Sequence, residues 1–205
     1  GLGSNVALVA EPGEETEAKI AQLNLAVGQL CSLPDTQIVD MSSFYESEPA
    51  YYEDQDAFVN AVVLLRSGLP PKELLGYLHS IENSLGRVRA IENGPRTLDI
   101  DILDYQMYVA SDDELTLPHP RVTERDFVVK PVLEILPGWE LADGTPVGRV
   151  PEAERVGQVQ QDTWLHDFIG GKKAVQRQRN TAVLRFCMGK CGFRRVLERI
   201  VEYGQ

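Results

Sequence analysis

The chain has 205 residues, of which 43% are hydrophobic and 25% charged, a composition typical of a globular protein with one good core. The formal net charge is −11, but residues 151–205 hold ten basic against six acidic side chains, while residues 1–150 hold ten basic against 25 acidic. An acidic body repels nucleic-acid phosphates, and no apolar run approaches the ~20 residues that cross a bilayer, so nucleic-acid and membrane partners are excluded.

The cysteines and the first residues favour a cytoplasmic protein. Three cysteines are an odd number in a chain of this size, which argues against a disulfide framework. The N-terminal residues have neither a basic nor an apolar region of the kind found in a signal peptide, so we expect none.

The N-terminal third is predicted to begin with a short strand, followed by a helix. Apolar residues recur along one broad face from Ile20 to Leu30, which predicts a helix over residues 16–30. We expect Thr16 to be its N-cap, because a threonine hydroxyl can accept from a free N–H of the first turn.

Two strands and a second helix are predicted next. Residues 36–45 and 58–65 are rich in β-branched and aromatic residues, which favours strands. Pro70-Pro71 predicts the first turn of a helix that runs to about Leu85, because proline suits that position.

A third group of elements completes the expected fold. Residues 97–105 form the clearest strand, 127–136 a short helix, and Asp143-Gly144 the turn of a hairpin. Strand pairs separated by helices predict an α+β fold, specifically a ferredoxin-like sandwich of a mostly antiparallel sheet with helices packed on it.

The strand over 97–105 carries the strongest chemical signal. Side chains alternate along a strand, so Leu98, Ile100 and Ile102 should face the core while Asp99 and Asp101 face the other way, about 7 Å apart. Two carboxylates at that spacing can share Mg²⁺ ions, which prefer oxygen ligands and substrate phosphates. The alternative is a solvent-facing strand edge with two ordinary acids.

Arginines cluster near this strand in an otherwise acidic region. They suggest a local site for a small polyanion, because a guanidinium spreads its charge over several phosphate oxygens. The alternative is that each simply pairs with a nearby carboxylate. The five are Arg87, Arg89, Arg96, Arg121 and Arg125.

Two further features leave alternatives open. His119 stands between two prolines that hold its backbone extended, so it is either a phosphate donor or a structural histidine. Cys187 and Cys191 are too few to fill a zinc site, so a basic interaction segment or a poorly ordered tail is favoured there. No nucleotide-binding P-loop sequence is present.

Residues 94–101, Gly-Pro-Arg-Thr-Leu-Asp-Ile-Asp, closely resemble the signature of the 6-hydroxymethyl-7,8-dihydropterin pyrophosphokinases. Other matching segments occur in the same order over roughly residues 1–150: Gly3-Ser4-Asn5, Ser42 to Tyr45 with Pro49, Phe58-Val59-Asn60, Glu82 to Arg89, Leu117 to Arg121, and Glu124 to Val128.

The resemblance implies transfer of the β,γ-diphosphate of ATP to the hydroxymethyl group of the pterin, with release of AMP, in folate synthesis. It implies that Asp99 and Asp101 hold two Mg²⁺ ions and that Arg87 and Arg96 contact the transferring phosphates. The residues implied to lie along the nucleotide are Glu82, Arg89, Ile102, Thr116, His119 and Arg125.

The resemblance also implies a pterin pocket. Asn60 would hydrogen-bond the edge of the heterocycle, Phe127 would stack on the ring, and Phe58 would lie close by. Backbone groups from Ser47 through Glu48 to Ala50 would complete the pocket. A flat heterocycle with a polar edge suits an aromatic face and an amide.

The chain departs from the family pattern in places. Asn93 replaces a tryptophan of well-known bacterial members, the arginine loop is one residue shorter, and His79 and Glu114 replace residues near the nucleotide. We expect a pyrophosphokinase domain over residues 1–155 with a truncated first strand, and a basic extension over 156–205. Fusion or association with another folate-pathway enzyme is one explanation of the short start.

Two other functions use the same residues. A metal-dependent phosphohydrolase could act on a nucleotide through the two aspartates, without any pterin. A non-catalytic protein, either a degenerate pterin binder or a scaffold acting through the basic extension, is the other alternative. The complete set of Asp99, Asp101, Arg87 and Arg96 argues against loss of activity.

Overall fold

The computed structural model describes residues 1–49, 55–86, 96–148 and 156–159. Within these residues, every strand pairing is antiparallel and three helices accompany the strands, which confirms the predicted α+β class. The elements are β1 (Leu2–Ser4), α1 (Glu15–Leu30), β2 (Thr36–Met41), β3 (Phe44–Ser47), β4 (Phe58–Ala61), β5 (Val63–Ser67), α2 (Pro71–Ser84), β6 (Asp99–Ile100), β7 (Ala110–Ser111), β8 (Thr116–Leu117), α3 (Asp126–Ile135) and β9 (Val156–Val159).

The chain divides into two compact units, Gly1–His166 and Asp167–Gln205. All described elements belong to the first unit, and the second lies outside the described residues, together with Cys187 and Cys191. The sequence pattern does not predict β9, which follows residue 155 and pairs with β3. No helix in the described part of the chain is long and apolar enough to span a membrane.

The main sheet has the strand order β6-β1-β4-β3-β9. The short first strand β1 lies inside it, paired with β4 on one side and β6 on the other. Helices α1 and α2 contact β1 and β6, while α3 contacts β3 and β4. Four apolar residues of α1 are almost completely buried, as its periodicity predicts: Ile20, Leu23, Val27 and Leu30. Leu25, expected on the same face, is only partly buried.

The predicted strands over 36–45 and 58–65 are in the right places, but each is divided in two. Residues 36–41 and 63–67 form a separate pair, β2 with β5, whereas β3 and β4 belong to the main sheet. At the division, Ser42 N donates to Val62 O and Val62 N donates to Ser42 Oγ, both at 2.9 Å. These bonds pair buried backbone groups at the point where both strands pass from the β2–β5 pair into the main sheet.

The three predicted helices are confirmed, with one error at a cap. Helix α1 begins at Glu15 and its N-cap is Glu14, so the assignment of Thr16 as N-cap was wrong. Thr16 lies in the first turn instead. Helix α2 begins at Pro71, as the two prolines predict. The predicted hairpin turn is present: Gly144 adopts a φ of +83°, and Leu141 N donates to Thr145 O at 2.9 Å.

The strand predicted over 97–105 is shorter than expected. Only Asp99–Ile100 is a strand, because among the described elements β6 pairs with β1 alone, and the last backbone bonds between them join Asp101 to Gly1. The alternation is nevertheless correct up to that point, since Leu98 and Ile100 are buried. Beyond it the chain leaves the sheet, and the Tyr105 hydroxyl donates to Leu69 O at 2.7 Å.

Candidate active site

A cavity of about 280 Å³ opens on the face of the main sheet beside α3. It brings together residues that are distant in sequence and that arise from β1, β3, β4, β6 and α3. The sequence-predicted site residues that line it are Ser47, Glu48, Phe58, Asn60, Arg96, Asp99, Asp101, His119, Arg125 and Phe127.

Strand register explains how the two sides of the cavity come together. Gly3 of β1 is opposite Asn60 of β4 on one side and opposite Asp99 of β6 on the other. Residues directly opposite one another in a sheet point to the same face, and neighbouring strands lie about 4.8 Å apart. Asn60 and Asp99 therefore flank Gly3 in one row, which places the predicted pterin-binding amide and the predicted metal ligand on the same face of the sheet, with Gly3 between them.

Gly3 leaves space in the middle of this row. A Cβ atom at Gly3 would lie 3.1 Å from Oδ1 of Asn60. A side chain there would therefore press on the amide and occupy the floor of the cavity. Glycine keeps the two polar residues joined by bare backbone, over which a flat ligand can lie.

Asn60 is held in one orientation by a neighbour. Its Nδ2 donates to Ser47 Oγ at 2.9 Å, and both side chains are buried. With Nδ2 engaged, the amide oxygen is directed toward the bare backbone of Gly3. The arrangement presents a fixed acceptor to the N–H groups of a heterocycle.

Two aromatic rings contribute apolar walls to the cavity. Phe58 begins β4 and Phe127 is the second residue of α3. The Arg125 guanidinium carbon lies 5.6 Å from the Phe127 ring centroid, within the range of a cation–π interaction. This contact holds the arginine beside the ring and directs positive charge to the cavity.

The acidic side of the cavity contains an ion pair. Arg96 Nη1 lies 2.8 Å from Asp99 Oδ2, and the two side chains are 25% and 22% exposed. Both therefore remain accessible to a bound phosphate. Asp101 lines the same cavity two residues further along.

Three buried polar side chains hold the backbone of this segment. Asn5 Oδ1 accepts from Arg96 N at 2.8 Å, and Glu82 Oε1 accepts from Ile100 N at 2.7 Å. The Gln22 side-chain amide donates to Thr97 O. All three supporting side chains are less than 5% exposed. Their hydrogen bonds take the place of the inter-strand backbone hydrogen bonds that a two-residue strand cannot make.

His119 stands at the edge of the cavity with its backbone fixed. His119 N donates to Leu103 O at 2.8 Å, and Arg121 N donates to His119 Nδ1 at 3.2 Å. Burial, reinforced by Arg125 and Arg121, lowers the pKa of His119 against the opposing effect of Asp101. The neutral imidazole, with Nδ1 as acceptor, can donate from Nε2.

Other predicted residues lie away from the cavity. Glu82 is 2% exposed and serves the backbone of β6 as described above, while Ile102 and Thr116 are not among the lining residues. Ala50, Arg87 and Arg89 lie outside the described residues, as does Asn93. Glu114 and Asp112 instead bind Lys72, at 3.1 and 3.0 Å.

Some lining residues were not predicted to have a role. Gln55, Gly1, Leu2 and Gly3 line the cavity, and only Gly3 had a sequence signal, as part of the Gly3-Ser4-Asn5 segment that matches the family. Arg121 also lines it; the sequence placed this residue in the arginine cluster that suggests a polyanion site, but no individual role was assigned to it.

The carboxylates fit a site for divalent cations completed by a ligand. Within the described residues, no group of three or more His, Cys, Asp or Glu side chains could hold a metal by itself. Asp99 and Asp101 supply two hard oxygen donors to one cavity. Mg²⁺ normally takes one or two carboxylates and completes its shell with water and substrate phosphates, so this donor set suits it.

Comparisons with known proteins agree with this geometry. Residues 1–137 match the model of the 7,8-dihydro-6-hydroxymethylpterin-pyrophosphokinase family. The chain is 41% identical over 123 residues to the 2-amino-4-hydroxy-6-hydroxymethyldihydropteridine pyrophosphokinase of Haemophilus influenzae, an alignment covering 60% of this chain and 77% of that protein.

Two eukaryotic relatives are much longer than this chain. The folic acid synthesis protein fol1 of Pneumocystis carinii is 45% identical over 104 residues, which are 51% of this chain and 14% of that protein. The mitochondrial folate synthesis bifunctional protein of Pisum sativum is 44% identical over 95 residues, or 46% of this chain and 18% of that protein. The chain thus spans less than a fifth of either protein.

Proposed function

The chain belongs to the 7,8-dihydro-6-hydroxymethylpterin-pyrophosphokinase family, and from this we propose that it transfers the β,γ-diphosphate of ATP to the hydroxymethyl group of 6-hydroxymethyl-7,8-dihydropterin in folate synthesis. The observation that carries the proposal is the row of Asn60, Gly3 and Asp99. It sets an amide that can accept hydrogen bonds from a heterocycle and a carboxylate that can bind a cation on the same face of the sheet, in one cavity.

In this proposal, each side of the cavity binds one substrate. The fixed amide oxygen of Asn60 accepts from the pterin edge, and Phe127 and Phe58 cover the ring faces. Arg87 and Arg96 contact the transferring phosphates, assisted by Arg89, and Arg125 lies along the nucleotide. His119 donates to a phosphate oxygen from Nε2 as a neutral imidazole. Glu82, Ile102 and Thr116 do not line this cavity, and we propose that they lie along the part of the nucleotide that extends beyond it.

The chemical step is a displacement at phosphorus. The hydroxymethyl oxygen attacks the β-phosphorus, the bond from that phosphorus to the oxygen bridging it to the α-phosphate breaks, and AMP leaves. The hydroxyl loses its proton as the new bond forms, and we assign no side chain as general base. Such a transfer depends mainly on in-line positioning and charge neutralisation, which these residues provide.

We further propose that Asp99 and Asp101 hold two Mg²⁺ ions that are shared with the triphosphate. When bound, these ions neutralise the phosphate charge and acidify the attacking hydroxyl. The aspartates orient them, and the ion pair of Arg96 with Asp99 keeps that carboxylate in place before substrates bind.

The finer structural assignment is a ferredoxin-like sandwich over residues 1–155. It is supported by the antiparallel sheet and by the contacts of α1 and α2 with β1 and β6. A basic extension over 156–205 is part of the same proposal; its first residues, 156–159, form β9 and pair with β3 of the sheet.

We also propose a cytoplasmic location, which the odd number of cysteines supports. Fusion to, or association with, another folate-pathway enzyme is supported by the long relatives from Pneumocystis carinii and Pisum sativum.

AMP formation from Mg-ATP, measured with and without the pterin, tests the proposed function. We expect AMP only when the pterin is present. AMP formation independent of the pterin would indicate a phosphohydrolase and contradict the proposal. Pterin binding by calorimetry without AMP formation would favour a non-catalytic binding protein.

A further inference from the structure

Asn5 is a buried polar residue that bonds to both sides of the cavity without lining it. It directly follows β1 and is 0% exposed. Its Oδ1 accepts from Arg96 N at 2.8 Å, while its Nδ2 donates to Gln55 Oε1 at 2.9 Å and to Asp56 O at 3.4 Å. Because acceptor and donor are both engaged, the network fixes the orientation of this amide.

The partners of Asn5 belong to different sides of the site. Arg96 directly precedes the segment that carries Asp99, with which its guanidinium pairs. Gln55 lines the cavity, and Asp56 lies two residues before Phe58. One side chain therefore joins two segments of the site. The first, which we call the phosphate side, leads from Arg96 to Asp99 and Asp101; the second, the heterocycle side, leads from Gln55 to Phe58 and Asn60.

Further bonds make both ends of this connection firm. The carbonyl of Arg96 accepts from Asn5 N at 3.2 Å and from Val6 N at 3.3 Å, so both backbone polar groups of Arg96 are bound by residues 5–6. On the other side, the buried Lys19 donates to Ala57 O at 3.0 Å. A displacement of Asn5 would thus be transmitted to Arg96 and to Gln55 alike.

We propose that Asn5 is a positioning residue that sets the separation of the two substrates. The inference rests on the proposed function. In-line transfer requires the attacking oxygen within about 3–3.5 Å of phosphorus, and a misplacement of about 1 Å can reduce the rate about 100-fold. A side chain bonded to both sides controls that distance although it contacts neither substrate.

Two substitutions separate the acceptor and donor roles of the amide. Asn5→Ala removes both, so we expect kcat to fall about 100-fold, with a smaller rise in the KM for ATP. Asn5→Asp keeps the acceptor for Arg96 N but cannot donate to Gln55 or Asp56. We therefore expect it mainly to raise the KM for the pterin, while the buried carboxylate also lowers stability. Asn5→Ser, which adds no charge, should lower kcat less than Asn5→Ala and is measured if either of the other two variants fails to fold.

Tyr105→Phe is the matched control for a purely structural effect. It deletes a hydroxyl that donates to Leu69 O at 2.7 Å, and none of its partners lines the cavity. We expect a lower midpoint of thermal unfolding with unchanged kcat. The positioning role is overturned if folded Asn5 variants keep the wild-type kcat and KM, or if Tyr105→Phe, at a similar loss of stability, loses as much activity as they do.

Hydrogen exchange of the Arg96 amide, measured by NMR on the full chain, gives a readout that does not need turnover. We expect faster exchange in Asn5→Ala and near wild-type exchange in Asn5→Asp and Tyr105→Phe. A wild-type chain that forms no pterin-dependent AMP would contradict the proposed function. Unchanged exchange in Asn5→Ala would overturn the positioning role alone.

Discussion

The two sides of the cavity are built in different ways. The heterocycle side is carried by β3 and β4, each of which has a strand partner on both edges, and its polar residues Ser47 and Asn60 are at least nine-tenths buried. The phosphate side is carried by β6, a strand of two residues paired only with β1 among the described elements. Its Arg96 and Asp99 are about a quarter exposed.

This difference shows how one sheet can serve two chemical needs. A flat heterocycle is recognised by shape and by a few fixed hydrogen bonds, which a fully paired pair of strands can hold rigidly. A phosphate chain and its cations need accessible charge, which an edge segment provides. The cost is lost backbone pairing, and the buried side chains of Asn5, Gln22 and Glu82 replace it.

The largest effect is expected from breaking the phosphate side. In Asp99→Ala, kcat for AMP formation should fall by about 100- to 1000-fold, because the proposed Mg²⁺ ions, which would neutralise the phosphate charge, would lose one of their two carboxylate ligands. The free energy of unfolding should change by less than about 1 kcal/mol, since the pair with Arg96 is partly exposed. Kinetics and chemical denaturation measure the two quantities.

Asp113→Ala serves as the control for that substitution, because Asp113 is an exposed acid that does not line the cavity. Its kcat should equal that of the wild type. An Asp99→Ala enzyme with undiminished kcat would remove the metal-binding role assigned to this carboxylate.

Breaking the heterocycle side should act on binding instead. Asn60→Ala should raise the KM for the pterin about 10- to 100-fold, the effect of losing hydrogen bonds in a buried site, with a smaller change in kcat. Steady-state kinetics at saturating Mg-ATP tests this. Asn24→Ala removes an equivalent amide from α1, away from the cavity, and should leave that KM unchanged. An equal rise in both variants would contradict the assignment.

A smaller effect is expected when the side-chain amide of Asn60 is kept but its hydrogen-bond partner is removed. In Ser47→Ala, Asn60 Nδ2 loses its acceptor at 2.9 Å and the amide can rotate. The KM for the pterin should rise by about 5-fold, in line with the net value of one hydrogen bond. Ser47→Thr keeps the hydroxyl and should restore the wild-type value. If Ser47→Ala matches the wild type, Ser47 does not orient Asn60.

The smallest effect concerns the pH dependence of stability. Burial lowers the pKa of His119 in the folded protein, so between the folded and unfolded pKa values the unfolded chain binds more protons. Stability should therefore rise with pH through this window and be lost as pH falls below about 6.5. His119→Gln should reduce the loss of unfolding free energy between pH 7 and 5. If the free energy of unfolding of His119→Gln changes with pH as steeply as that of the wild type, the burial of this imidazole would be contradicted.

Much of the fold and one half of the site follow from local pattern. Helical periodicity and prolines predict α1 and α2, and alternation predicts that Leu98 and Ile100 are buried while Asp99 and Asp101 share the cavity. These features depend on residues close in sequence, so a local pattern can reveal them.

The remaining features depend on which distant residues become neighbours. The pattern of 97–105 could not show that β6 ends after Ile100, or that within the described part of the chain it pairs with a single strand. Nor could it reveal the register that sets Asn60 beside Gly3 and Asp99, or the bonds of Asn5 to Arg96 and Gln55. Strand pairing and buried polar networks are decided by the whole fold.

The identity of the transferred group tests the central claim most directly. Purified chain is incubated with Mg-ATP and 6-hydroxymethyl-7,8-dihydropterin, and the products are identified by mass spectrometry. The account predicts one AMP for each pterin diphosphate, with both phosphates on the hydroxymethyl oxygen. Products of ADP and pterin monophosphate, or of AMP and free diphosphate, would contradict it.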